Sequence, residues 1–90
     1  MTLTEQINSD IKSAMKAREK EKLAALRAIK SALMLEATKD SSGEVSEEAE
    51  MKILQKLHKQ RKDAAALYEE QNRPDLLADE VFQANVIEAF

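Results

Sequence analysis

The chain contains one glycine and one proline among its 90 residues, and this scarcity limits its fold more than any other feature. Both residue types interrupt regular secondary structure, whereas the alanine, leucine, lysine and glutamate that dominate here favour helices. The sequence therefore predicts an all-α protein that forms a single compact helical domain over residues 1–90.

Local signals mark where these helices begin. Thr2 and Glu5 have the spacing of a capping box, and Ser46 precedes an acidic first turn that suits a helix N-terminus. Pro74 is well placed at a first helical position, where its missing amide costs nothing. The segment 40–44, which contains the single glycine, predicts a loop. Together these signals predict helices at roughly 3–18, 20–39, 47–71 and 74–90.

One boundary is left open by the sequence. Residues 18–22 are all charged and contain neither glycine nor proline. Such residues are compatible with a continuous helix and equally with a break between two helices. The sequence alone does not choose between them.

Composition limits the function. Cysteine is absent, which excludes disulfides and thiolate metal sites and is compatible with a cytoplasmic location. The start of the chain is polar and lacks the pattern of a signal peptide, and the apolar runs are too short to span a bilayer. His58 is the single histidine and has no partner at a metal-ligand spacing. We therefore predict no catalytic residue, metal site, cofactor or membrane association.

Arg61 is the most unusual residue of the third predicted helix. It shares helical spacing with apolar residues before and after it, so it falls on the face expected to be buried. A guanidinium keeps its charge and its five donors, so a partner must be supplied. The favoured interpretation is a structural ion pair with Asp75 or Glu80 of the fourth helix. The alternative is an Arg61 exposed in a groove, where it binds a phosphate or a partner's carboxylate.

A second group of cations lies on the opposite side of the third helix. Residues 52–63 contain five Lys or Arg and a single acid, although the whole chain carries a formal charge of −3. Most such stripes are solvated surface, but this one is also a candidate for binding phosphates without sequence specificity. The candidate nucleic-acid contacts are Lys52, Lys56, Lys59 and Lys62.

The fourth predicted helix suggests a different kind of contact. It ends inside an apolar pattern, without a capping residue or a basic last turn. We expect an exposed apolar patch formed by Phe82, Ile87 and Phe90, which would engage a second helical domain or another protein. We also expect this chain to be a truncated form of a longer two-domain protein.

Beyond these patterns, the chain resembles the YqeY family along nearly its whole length. These are small helical proteins related to the C-terminal tail of the GatB subunit of tRNA-dependent amidotransferases. The more specific part of the resemblance runs from residue 59 to residue 64 and continues at Tyr68, Arg73, Asp75, Leu76 and Glu80. Weaker similarity comes from Met15-Lys16-Ala17-Arg18, Leu26-Arg27 and Lys30-Ser31-Ala32. The ending Val86-Ile87-Glu88-Ala89-Phe90 resembles the run that precedes a Leu-Pro linker in full-length members, which supports the expectation of a truncated chain.

The resemblance implies a four-helix N-terminal domain and a link to systems that amidate misacylated tRNA with glutamine as ammonia donor. In those complexes the ligase chemistry belongs to other subunits or domains, so the carbon–nitrogen ligase link implies no active site in this chain. Three interpretations follow: a tRNA-associated accessory module, a protein-interaction module that docks through the fourth helix, and, least favoured, an independent enzyme.

Overall fold

The computed structural model describes residues 2–39 and 45–90, and its helices begin and end close to the predicted positions. Within these ranges the chain forms α1 (Leu3–Ala17), α2 (Lys20–Lys39), α3 (Glu47–Glu70) and α4 (Pro74–Glu88), with no strand. The all-α prediction is confirmed, and every helix end lies within two residues of its expected place. The loop predicted at 40–44 lies outside the described residues.

The helix starts follow the local signals in the sequence. The amide of Glu5 donates to Thr2 Oγ1 over 3.1 Å at the start of α1, and the amide of Ala49 donates to Ser46 Oγ over 3.1 Å at the start of α3. Each bond satisfies one of the amides that a helix N-terminus leaves without an intrahelical partner. Pro74 occupies the first turn of α4, as predicted.

The charged segment 18–22 contains a break, which settles the boundary that the sequence left open. Arg18 adopts the left-handed conformation, with φ 58° and ψ 37°. The amide of Glu19 then donates to the carbonyl of Ala14 over 3.0 Å, and the amide of Arg18 donates to the carbonyl of Met15 over 3.2 Å. This pair of bonds is the Schellman motif that ends many helices, here built without glycine.

The end of α3 has the same construction. Asn72 is left-handed at φ 57°, and its amide donates to the carbonyl of Glu69 over 3.1 Å. The amide of Arg73 donates to the carbonyl of Tyr68 over 2.8 Å. Asparagine tolerates this conformation better than most residues, because its short polar side chain can hydrogen-bond locally. The two motifs join α1 to α2 and α3 to α4 as helical hairpins.

The core is centred on α2, which packs against each of the other three helices. Its buried residues include Leu26 and Ile29, both with no exposed surface, and Leu33. They meet Ile7 of α1, Leu54 of α3 and Ile87 of α4. Among the described residues the core contains no buried polar or charged side chain. Apolar contacts therefore provide the packing that holds the two hairpins together.

α4 is the most apolar of these helices and does not separate into an apolar and a polar face. Its inner face buries Ala84 and Ile87, while Val81 and Phe82 remain exposed. The molecule is 18 Å across in its shortest dimension, about the thickness of two helices. A helix in so thin a fold has solvent on one side, so apolar residues on the outer side of α4 stay uncovered within this chain.

Candidate functional site

The four lysines of α3 share one solvent-facing surface, which we call the lysine face (Lys52, Lys56, Lys59 and Lys62). All four side chains are exposed, and the buried residues Leu54 and Ala65 lie on the other side of the helix. Lys52 Nζ lies 3.5 Å from a Glu48 oxygen, and Lys59 Nζ lies 3.4 Å from an Asp63 oxygen. The structure thus gives the four lysines one exposed surface, and their role as nucleic-acid contacts stays a prediction.

Arg61 points away from the lysine face, towards α4. Its Nη1 lies 3.1 Å from Glu80 Oε2 and donates a hydrogen bond to Glu80 Oε1 over 3.4 Å. The nearer oxygen, Oε2, is buried and receives no hydrogen bond, so its contact with the guanidinium is electrostatic. The Arg61 side chain is 33% exposed and that of Glu80 is 14% exposed. Arg61 is thus half-buried, and its charge faces the most enclosed of the ion-paired carboxylates among the described residues.

Asp75, the other acid considered as a partner for Arg61, lies beside Arg73 instead. Arg73 Nε is 3.6 Å from Asp75 Oδ1, and both side chains are exposed. A hydrogen bond from the backbone amide of Leu76, in the first turn of α4, lowers the pKa of Asp75, and the Arg73 charge lowers it further. Asp75 therefore belongs to the start of α4 and takes no part in the Arg61 pair.

His58 forms a contact that the sequence analysis did not predict. Its Nε2 lies 3.6 Å from Glu88 Oε2 at the far end of α4, an ion pair only when the imidazole is protonated. The His58 side chain is half-buried. His58 and Glu88 are thirty positions apart in the sequence, so no local pattern indicates their contact.

The predicted apolar contact patch needs one correction. Phe82 is 42% exposed, but Ile87 is only 4% exposed and belongs to the core with Leu26 and Leu54. Ile87 follows the buried Ala84 by three residues, which places it on the inner face of α4. Phe90 is half-buried and packs against the edge of the core. Ile87 therefore cannot contact a partner at this surface.

The exposed residues of α4 form two adjoining depressions, and Phe82 and Asn85 line both of them. The first has a volume of about 390 Å³ and includes Pro74, Leu77, Ala78 and Val81. The second, of about 480 Å³, lies between α4 and α1 and includes Val86, Ala89, Phe90, Gln6, Asp10, Glu19 and Lys22. We call the surface formed by the two depressions together the α4 groove. Its lining within α4 is apolar apart from Asn85.

Residues 2–39 and 45–90 contain no group of three or more His, Cys, Asp or Glu side chains placed to hold a metal ion. In the same part of the chain, no helix combines the length and the hydropathy that are needed to cross a membrane.

Comparison with known proteins identifies the family to which the chain belongs. The model of the YqeY-like protein family matches residues 4–90, which is essentially the whole chain. The chain belongs to the YqeY family. No curated protein matches the sequence. The match covers all four helices, so the lysine face, the Arg61–Glu80 pair and the α4 groove all lie in the YqeY-like part of the chain.

Proposed function

We propose that this YqeY-family chain is a cytoplasmic accessory module that has no catalytic chemistry of its own and contacts tRNA through the lysine face. The observation that carries the proposal is the exposure of all four lysines on the side of α3 opposite the core. From Lys52 to Lys62 the face extends over about 15 Å of helix. A surface of that length can follow several phosphates of a nucleic-acid backbone.

The charges on the lysine face are available for exchange with phosphates. Its two short-range pairs, with Glu48 and Asp63, join side chains that are all at least two-thirds exposed. Exposed pairs at this helical spacing contribute only about 0.3–0.5 kcal/mol, so phosphate oxygens can replace them. The Arg61 guanidinium is engaged with Glu80 and is not part of this surface.

Phosphate contacts of this kind position an RNA but do not specify its sequence. The choice of tRNA as the RNA follows from family membership, because the YqeY family is related to the tail of GatB in tRNA-dependent amidotransferases. In this proposal the chain assists a glutamine-dependent amidotransferase (carbon–nitrogen ligase) system, and the ligase chemistry resides in other proteins.

The test is a titration of labelled tRNA with the protein at two salt concentrations, repeated with the triple variant Lys56→Glu, Lys59→Glu and Lys62→Glu. We expect wild-type binding to weaken steeply with salt, because each displaced counterion contributes to the salt dependence. We expect the variant not to bind. A matched control carries Lys12→Glu, Lys16→Glu and Lys20→Glu, which change the net charge equally at exposed positions of α1 and at the start of α2.

The control variant distinguishes tRNA binding by the lysine face from binding that depends only on the net charge of the protein. Retained binding by the control together with lost binding by the α3 variant supports the proposal. An equal loss of tRNA affinity in both triple variants would mean that net charge, and not the lysine face, determines binding. Wild-type binding that is insensitive to salt would contradict the role of the lysine face.

The α4 groove favours a second candidate function, docking to another protein. Val81 and Phe82 are large apolar residues that stay exposed on a helix packed firmly against α3 and α2. Val81 and Phe82 are neighbours that line one depression, and adjoining exposed apolar side chains of this kind favour a site of protein contact. Protein association through the groove should be insensitive to salt, unlike tRNA binding, and Phe82→Asp should abolish it.

A further inference from the structure

The α4 groove is long enough to receive a helix. It runs along α4 and onto Ala89 and Phe90 just beyond it, with Phe82 and Asn85 common to both of its depressions. The 15 residues of α4 extend over about 21 Å, or about four turns of a partner helix lying alongside. Binding of an amphipathic helix in an apolar groove is a recurrent mode of recognition, in which residues three and four apart serve as anchors.

The charges around the groove restrict what kind of helix fits. Residues 74–90 contain four acids and neither lysine nor arginine. Asp75 and Asp79 are exposed and lie four residues apart, so they follow one flank of α4. Arg73 lies 3.6 Å from Asp75 and offsets its charge, so Asp79 is the acid that gives this flank its negative charge. Asp10 and Glu19 line the groove on the side of α1. The cation there is Lys22, whose Nζ lies 4.0 Å from Glu19.

From this charge distribution we infer that the α4 groove binds an amphipathic helix of another protein whose apolar stripe is flanked by lysine or arginine. The inference rests on the second candidate function and specifies its partner by chemistry. Apolar anchors would occupy the surface around Val81, Phe82 and Ala89, while flanking cations would meet Asp79 and Asp10. Complementary charges of this kind select partners and speed their association.

A second copy of this chain is a poorer occupant. A two-fold contact uses the same surface on both subunits. It would therefore bring two acidic α4 helices together, and residues 74–90 supply neither lysine nor arginine from either subunit to offset their charges. Like charges placed opposite each other at an interface oppose association.

The experiment uses three labelled helical peptides of about 15 residues, matched to α4 at roughly 21 Å. All three have the same leucine and phenylalanine stripe, and the stripe is flanked by lysine, by glutamine or by glutamate. Each peptide is titrated with the protein at low salt. We expect the lysine-flanked peptide to bind about tenfold or more tightly than the glutamate-flanked one, with the glutamine-flanked peptide between them.

Variants locate the binding surface. Phe82→Asp should abolish binding of the lysine-flanked peptide, whereas Leu35→Asp, the same kind of change at an exposed position of α2, should leave it unchanged. Asp79→Lys should weaken binding of the lysine-flanked peptide and strengthen that of the glutamate-flanked one. Circular dichroism establishes that each variant is folded, and amide chemical shifts of Ala78 and Ala89 report occupancy of the groove without any substitution.

The outcomes separate this inference from the proposals on which it builds. Equal binding of all three peptides, still abolished by Phe82→Asp, would overturn the basic partner and leave a protein-docking groove. If none of the three peptides binds, both the basic partner and the protein-docking function of the α4 groove are overturned. Concentration-dependent dimerisation that Phe82→Asp abolishes would assign the groove to a second copy. None of these results bears on tRNA binding by the lysine face.

Discussion

Arg61 of α3 and Glu80 of α4 form an ion pair with 3.1 Å between Nη1 and Oε2, and the pair joins the two helices of the second hairpin. Each residue lies four positions before a buried alanine, Ala65 and Ala84, so both project from the inner faces of their helices. Glu80 is the more enclosed partner, and much of its hydration has been replaced by the guanidinium.

We expect Arg61→Ala to lower the free energy of unfolding by about 1–3 kcal/mol, because it leaves the enclosed Glu80 carboxylate without its compensating charge. The half-exposed position of Arg61 argues for the lower part of that range. Urea unfolding measures the change. Lys59→Ala, two residues away, removes an exposed pair with Asp63 and should cost about 0.5 kcal/mol or less.

A double-mutant cycle with Arg61→Met and Glu80→Gln tests the coupling directly. We expect the double variant to be more stable than the sum of the two single losses predicts, because no unpaired charge is left at the contact. Strict additivity, or equal small losses for Arg61→Ala and Lys59→Ala, would show that the pair does not stabilise the packing of α3 on α4.

Local chemistry explains why the helix boundaries could be predicted. Thr2, Ser46 and Pro74 act on backbone groups within three residues of themselves, so their effect is visible in the sequence. The break at Arg18 was not visible, because arginine gives no sign of a left-handed conformation. The packing of α1 against α2 offsets the conformational free energy that the left-handed Arg18 costs. This packing is a tertiary effect, which local helix propensity does not include.

The candidate surfaces show the same division between local and tertiary information. The lysine face follows from helical spacing alone. The apolar patch could not be predicted from helical spacing, because α4 is apolar on both sides. Its pattern does not distinguish the inward Ile87 from the outward Phe82. The sequence analysis left Asp75 and Glu80 open as partners of Arg61, because the choice depends on how α3 packs on α4; the distances to Glu80 and from Asp75 to Arg73 decide it.

The Asp75 carboxyl should titrate below the pH usual for an aspartate, because the Leu76 amide and the Arg73 charge favour its ionised form. A lowered pKa in the folded state stabilises the protein above the unfolded-state pKa, near 3.9, and this contribution is lost as the pH falls through the folded-state value. Carboxyl carbon shifts in NMR measure the midpoint. In urea the midpoint should return to its usual value, and the same midpoint in both states would contradict the assignment.

The same contribution should be visible in stability. Asp75→Asn should destabilise the protein at neutral pH, and the difference from the wild type should narrow below about pH 4, where the aspartate becomes protonated. Thermal unfolding across this range tests the expectation. A difference that stays constant down to pH 2 would show that the charge of Asp75 contributes nothing.

Two leucines of α2 should contribute very differently to the free energy of unfolding, because one is buried and the other is exposed. Leu26 has no exposed surface and belongs to the core, whereas Leu35 is 67% exposed. We expect Leu26→Ala to lower the free energy of unfolding by about 2–5 kcal/mol through lost burial and the cavity it leaves. Leu35→Ala should change it by about 0.5 kcal/mol or less. Urea unfolding of both variants checks the difference, and similar losses would contradict the assignment of the buried face of α2.

Arg18→Gly should stabilise the protein. At φ 58° and ψ 37° the Cβ of Arg18 crowds the following carbonyl, a cost of roughly 1–2 kcal/mol that glycine does not incur. Glycine also raises the entropy of the unfolded chain, which offsets about 0.4–1 kcal/mol of that gain. The net increase in the free energy of unfolding should therefore lie between about 0 and 1.6 kcal/mol, with a central value of roughly 0.8 kcal/mol, measured by urea unfolding. Arg18→Ala keeps the Cβ while removing the charge, so it should give no such increase. Equal gains in both variants would mean that loss of the arginine charge, and not relief of the left-handed backbone, stabilises the turn between α1 and α2.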